Sequence, residues 1–177
     1  MNIYALSSGK GPSGIAIIRL SGKNTLKVVE LIVKKKPNFK GMSFCKFYDP
    51  SDDSLIDEGL LLFFPAPNSF TGDDLAEFHI HGSNAVIVCF LRVLSEQSNC
   101  RLAEPGEFTK IAFQNNKIDL IEAESIGDLI HSETEMQRQQ AVKLVQGNAS
   151  NYYNNLREKL IKSLAYIEAK IDFAEDD

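Results

Sequence analysis

Beyond Asp119 the chain has no proline and only two glycines, Gly127 and Gly147, while Leu120, Ile121, Ala123, Ile126, Leu129 and Ile130 return at helical intervals. A stretch with that period and so few breakers can satisfy its backbone only as helix, so the last third reads as helical to its end. Gly147-Asn148 supplies a helix–helix turn. After it, Leu156, Leu160, Leu164, Ile167 and Ile171 form an amphipathic stripe. Two long helices with one apolar face each do not bury those faces alone, which implies that the chain continues or that a partner covers them. The closing Asp172-Phe173-Ala174-Glu175-Asp176-Asp177 reads as a cut end and not as a cap.

The first 117 residues are punctuated differently. Ile15-Ala16-Ile17-Ile18-Arg19-Leu20-Ser21 is β-branched, nearly continuous and bounded by Gly14 and Gly22, the pattern of a buried strand that carries one cation. Leu26, Val29, Ile32 and Val33 then follow helical spacing up to Pro37. Residues 43–48 and 55–64 read as two strands joined by the turn at 49–53, and 65–69 as a loop. A strand at 75–81, a packed helix at 84–96, a short strand at 101–103 and a brief helix from Pro105 to Asn115-Asn116 complete this part. The fold class is therefore α+β: a mixed β-sheet domain with flanking helices over residues 1–117, then an all-helical segment over 118–177.

At 177 residues, 44% hydrophobic and 24% charged, the chain has enough apolar material for a core without disulfide or metal staples. It holds no apolar run near the length of a membrane span and no charged, apolar leader at Met1-Asn2-Ile3-Tyr4, so a cytoplasmic protein with no membrane contact is expected. Cys45, Cys89 and Cys100 are odd in number with no C-x-x-C pair, as suits reduced thiols. The net charge of −5 is unevenly spread: residues 1–48 carry nine Lys and Arg against the single Glu30, and the remainder is acidic. That split excludes a globally basic nucleic-acid binder but permits a local positive face, while Lys34-Lys35-Lys36 alone would only solvate a helix end.

Three clusters could carry chemistry. Gly9-Lys10-Gly11-Pro12-Ser13-Gly14 precedes a strand, whereas a phosphate-binding loop follows one, and no G-x-x-x-x-G-K-[ST] occurs. This turn is structural or brings backbone close to a ligand. His79-x-His81 puts two rings on one strand face with Glu77, which suits a metal only if further ligands arrive from elsewhere. The other readings are a solvated strand face, or a polar cleft wall in which Glu77 accepts two hydrogen bonds from a guanidine-like donor edge. Glu104 to Thr109 and Lys117 to Leu120 are dense in polar groups, but Glu107 could simply start a helix. No catalytic residue and no metal ligand is assigned.

Four blocks, in order and spacing, carry a resemblance: Gly14 to Gly22, Pro67 to Asp74, Pro105-Gly106-Glu107-Phe108-Thr109, and Lys117 to Glu124. Together with Asp128-Leu129-Ile130 and Ile171-Asp172-Phe173 they make the chain similar, across nearly its full length, to the MnmE (TrmE) tRNA-modification GTPases. The resemblance implies an N-terminal tetrahydrofolate-binding and dimerisation domain, similar to the glycine-cleavage aminomethyltransferase, followed by the first helices of a helical domain. It implies that the family's GTPase domain and C-terminal cysteine motif lie outside these residues, so that GTP, magnesium and potassium are expected only for the missing domain. Family members act as homodimers with the flavoprotein MnmG (GidA), adding an aminomethyl-type group to the wobble uridine of tRNA with a one-carbon unit from formyl- or methylene-tetrahydrofolate. The folate-contacting Arg, Glu and Lys of the family fall on Arg19, Glu77 and Lys117. A carboxylate suits the N–H donors of a pterin ring, and cations suit the glutamate tail or a carbonyl.

The chain departs from the family pattern in three places. His-Gly-Gly becomes His81-Gly82-Ser83, an Arg before Ala-Phe becomes Ile111, and Leu-Asn-Gly-Lys becomes Gln114-Asn115-Asn116-Lys117. Asn116 in place of glycine calls for a left-handed or relaxed turn beside Lys117. Two other readings stand beside the first: a stand-alone folate-dependent aminomethyltransferase, and a non-catalytic dimerisation scaffold. The acidic helical part is a poor phosphate binder, so tRNA is expected to meet the basic N-terminal face, other domains or the partner protein.

Overall fold

The structure, a computed structural model, describes residues 1–9, 11–38 and 41–172. Lys10 of the glycine-rich turn and the chain end at 173–177 lie outside the described residues. Backbone contacts divide the chain into two compact units, Met1–Lys117 and one that begins at Ile118.

The first unit is a six-stranded sheet with two helices packed on one face. Its strands are β1 (Asn2–Leu6), β2 (Ser13–Ser21), β3 (Met42–Tyr48), β4 (Leu55–Phe64), β5 (Leu75–Gly82) and β6 (Cys100–Leu102), in the spatial order β3-β4-β5-β2-β1-β6. Every pairing is antiparallel except β1 with β6, so the sheet is mixed. Helices α1 (Thr25–Val33), α2 (Asn84–Ser95) and α3 (Glu107–Gln114) complete the unit.

Strand alternation sorts the two faces. Ala16, Ile18 and Leu20 of β2, Ala76, Phe78 and Ile80 of β5, and Leu61 and Phe63 of β4 point into the core, where Val29 and Ile32 of α1 and Phe90, Val93 and Leu94 of α2 cover them. At its centre Phe78 packs against Phe47 and Phe90, with ring centroids 5.6 and 4.9 Å away, in the tilted and edge-on arrangements that aromatic quadrupoles favour. The opposite face carries the intervening residues of the same strands, among them Arg19, Glu77 and His79. Asp49, in the turn after β3, is buried and ties that turn to α2. Its carboxylate accepts the Ser51 hydroxyl and amide at 2.7 and 2.9 Å as well as the Arg92 guanidinium, and these donors hold its pKa down at about 2.

Strand β1 is not signalled in the sequence. Asn-Ile-Tyr-Ala-Leu has no polar–apolar alternation and no turn before it, and it is a strand because β2 and β6 hydrogen-bond to both its edges. Helix α1 closes at Val33 and not at Pro37, since Lys34 takes a left-handed conformation (φ 57°) and returns its N–H to the Glu30 carbonyl.

The second unit has three described helices, α4 (Leu120–Ile130), α5 (Glu135–Val145) and α6 (Asn148–Asp172), which corrects the expectation of two. The additional break is chemical and not steric. Thr134 accepts the Gln137 amide while the Gln137 side chain reaches back to the Thr134 N–H, a capping box that starts α5 without any glycine or proline. Asp119 and Glu122 start α4 in the same way. Gly147 makes the following turn at φ 76°. Leu156, Leu160, Leu164, Ile167 and Ile171 are exposed along α6. No helix among the described residues is long and apolar enough to cross a membrane.

Candidate functional site

Arg19 interrupts a run whose neighbours on both sides, Ile18 and Leu20, are fully buried, so the strand's alternation turns its guanidinium to the face away from α1 and α2. The β2–β5 register sets Glu77 directly across from it. Arg19 Nε and Nη2 both donate to Glu77 Oε1, at 3.0 and 2.7 Å. The side chains are 29% and 17% exposed, so the pair lies at a half-buried surface and not in bulk solvent. A cation set in an apolar strand must find a counter-charge, and Glu77 is that group.

Two rings flank the guanidinium. Phe70 and Phe108 have centroids 5.9 and 5.6 Å from the Arg19 guanidinium carbon, within cation–π range. Neither phenylalanine was singled out from the sequence, although both fall in blocks, Phe70-Thr71-Gly72 and Glu107-Phe108-Thr109, that carry the family resemblance. Phe108 is set by the start of α3, where Glu107 binds the Arg101 guanidinium of β6 and accepts the Glu104 amide at 2.8 Å. The Arg101 hydrogen bonds hold the Glu107 carboxyl below its usual range. Glu107 thus anchors the helix to the sheet in addition to opening it.

Phe70 is set by the 65–74 loop, which is laced to the sheet and to the end of α3. The buried Thr71 hydroxyl lies 2.7 Å from that of Ser21, and its carbonyl accepts the Asn115 side-chain amide at 2.7 Å. Lys117 Nζ donates to the Pro67 carbonyl at 2.9 Å. Gly72, at φ 82°, leaves room for this strap: a Cβ there would sit 3.2 Å from both Asn115 and Lys117 side-chain carbons. Asn116 takes the left-handed conformation expected of it, with φ 54°. Lys117 therefore touches the same loop that presents Phe70 to Arg19, whereas Arg19 and Glu77 touch each other directly.

The two histidines diverge. His81 is exposed, and its ring Nδ1 and backbone N–H both meet the Asp57 carboxylate at 2.8 Å. His79, on the same strand face, turns toward Glu77: its Nε2 is buried, makes no hydrogen bond, and lies 3.6 Å from Glu77 Oε2. Among the described residues no group of three or more His, Cys, Asp or Glu is placed to hold a metal ion. Beside the histidines runs a shallow groove of about 200 Å³, lined by Ile15, Phe44, Glu58, Leu60, His79 and His81.

Residues 2–117 match the family model described as the GTP-binding protein TrmE N-terminus, and residues 120–177 match the MnmE helical domain. The chain belongs to the MnmE (TrmE) family. A tRNA modification GTPase MnmE of Pelagibacter ubique is 56% identical over 178 aligned residues, which cover 100% of this chain and 40% of that protein. MnmE proteins of Brucella canis and Brucella abortus are each 49% identical over 98% of this chain and 39% of their own length. The chain thus spans about two fifths of the MnmE relatives it matches, and it corresponds to the N-terminal region of a tRNA modification GTPase.

Proposed function

We propose that the first unit binds a tetrahydrofolate derivative carrying a formyl or methylene unit, with Arg19, Glu77 and Lys117 as its contacts. The observation that carries this reading is the half-used carboxylate of Glu77. Arg19 occupies Oε1 with two donors, and among the described residues no hydrogen bond reaches Oε2. A carboxylate fixed on one side, with its second oxygen left over, is suited to an N–H donor of a pterin edge. Phe70 and Phe108 add apolar ring surface beside it, and Lys117 offers a cation to a carbonyl or a carboxylate tail.

In this reading the chain is the folate-binding and dimerising part of a cytoplasmic MnmE protein. The complete protein hydrolyses GTP and, with MnmG, modifies the wobble uridine of tRNA. Two features support dimerisation through the first unit: the sheet face opposite the helices exposes Ile15, Met42 and Phe44, each more than 60% accessible, and the Arg19–Glu77 pair opens on the same face.

Calorimetric titration with formyl-tetrahydrofolate tests the site. Glu77→Gln keeps the shape but replaces one acceptor oxygen with a donor and removes the charge that Arg19 needs. A charged hydrogen bond contributes roughly 1.5–3 kcal/mol, so affinity is expected to fall about 10- to 100-fold. Unchanged affinity would remove Glu77 from the site.

A further inference from the structure

His79 lies on the same strand face as Glu77, and no function above uses it. Its register partners on the flanking strands, Ile17 of β2 and Leu60 of β4, are uncharged. The Nε2 atom is buried and makes no hydrogen bond. Native proteins pair nearly all buried ring nitrogens, so one left unpaired asks for an explanation. The atom nearest in chemical purpose is Glu77 Oε2, at 3.6 Å, too long for a hydrogen bond.

We propose that His79 is a positioning residue of the folate site, one that decides whether Glu77 Oε2 is open to ligand or held by the protein. The proposal rests on the folate reading of Arg19 and Glu77. Arg19 already holds Oε1, so Oε2 is the oxygen that a ligand N–H can reach. An imidazolium carries N–H groups on both nitrogens. When solvent delivers a proton to His79, its Nε2–H faces Oε2, and a movement of a few tenths of an ångström closes the gap to a charge-assisted hydrogen bond. The proton and the ligand then compete for one oxygen, and ligand binding releases the proton.

The charged and titratable groups around His79 come from three strands. On β5 itself they are Glu77 and His81. On β2 the cation is Arg19, bonded to Glu77. On β4, Glu58 lines the same groove, and Asp57 is engaged by His81. Helices α1 and α2 cover the opposite face of the sheet, and α3 brings the uncharged ring of Phe108 to Arg19. All of these groups are unchanged by a substitution at position 79, so its contribution separates from theirs.

The experiment is calorimetric titration of the 177-residue chain and of His79→Gln with formyl-tetrahydrofolate from pH 5.5 to pH 8. Imidazole is the side chain that changes charge across this interval. Affinity of the unaltered chain is expected to fall about tenfold from pH 8 to pH 5.5 relative to the variant, because glutamine cannot take up the competing proton. Parallel profiles would overturn the proposal, and so would a relative gain in affinity at low pH. If the variant does not fold, the unaltered chain titrated in buffers of different ionisation enthalpy gives the same answer. More proton release on binding at pH 5.5 than at pH 8 supports the proposal, and no difference between the two overturns it. Failure to bind at every pH would instead remove the folate reading itself, and the role of His79 with it.

Discussion

Phe78→Ala is expected to lower the unfolding free energy by about 3–5 kcal/mol, the range for deleting a buried aromatic ring from a core that does not collapse around the loss. Phe78 is fully buried on the helix side of β5, against Phe47 and Phe90. Its chain neighbours Glu77 and His79 point the other way. The substitution therefore hollows the core directly beneath the site without touching a group in it. Denaturant unfolding of the whole chain measures the effect. A loss under about 1 kcal/mol would mean that the two helices do not pack on the sheet as described.

Arg19→Met should act on both stability and ligand. Methionine keeps the apolar stem but leaves the Glu77 carboxylate, 17% exposed, without its partner. Removing one member of a part-buried ion pair costs about 1–3 kcal/mol, mostly because the remaining charge is stranded. Formyl-tetrahydrofolate affinity is expected to fall by about 100-fold or more, as the carboxylate is no longer held in place and the cation is gone. Arg19→Lys should recover little of this, since an ammonium cannot place two donors on one oxygen in a fixed fork. Replacing both partners, Arg19→Met with Glu77→Leu, separates the two effects: stability should return toward that of the unaltered chain while ligand binding stays lost. A double variant that still binds the folate would show that the pair is structural only.

Most of the sheet and its two covering helices can be read from the chain because each element carries its own period. Residues 15–21 are bounded by glycine, 84–96 keep an apolar helical face, and 43–64 break at an Asp-Pro turn. What depends on partners distant in sequence cannot be read so directly. β1 is a strand because β2 and β6 flank it, and its five residues carry no pattern of their own. The break before α5 carries no sequence signal for a different reason, since it is made by hydrogen bonding at Thr134 and Gln137 and not by a residue that disrupts helices.

The site divides in the same way. That Arg19 needs a counter-charge follows from a cation among buried neighbours. That the counter-charge is Glu77, 58 residues away, follows from the strand register, which no local pattern states. Phe70 and Phe108 come to Arg19 from a loop and from the first turn of α3, whose geometry is set by the Thr71–Ser21, Asn115–Thr71 and Arg101–Glu107 contacts. The family resemblance pointed to Arg19, Glu77 and Lys117. The geometry adds the aromatic walls and the unpaired His79.

The most direct trial is diffraction from crystals of this chain grown with formyl-tetrahydrofolate. Density is expected for the pterin with its N–H edge within hydrogen-bond distance of Glu77 Oε2, Arg19 still on Oε1, and ring surface against Phe70 or Phe108. A folate bound elsewhere on the unit, or crystals from saturating ligand that leave the space beside Glu77 empty, would contradict it.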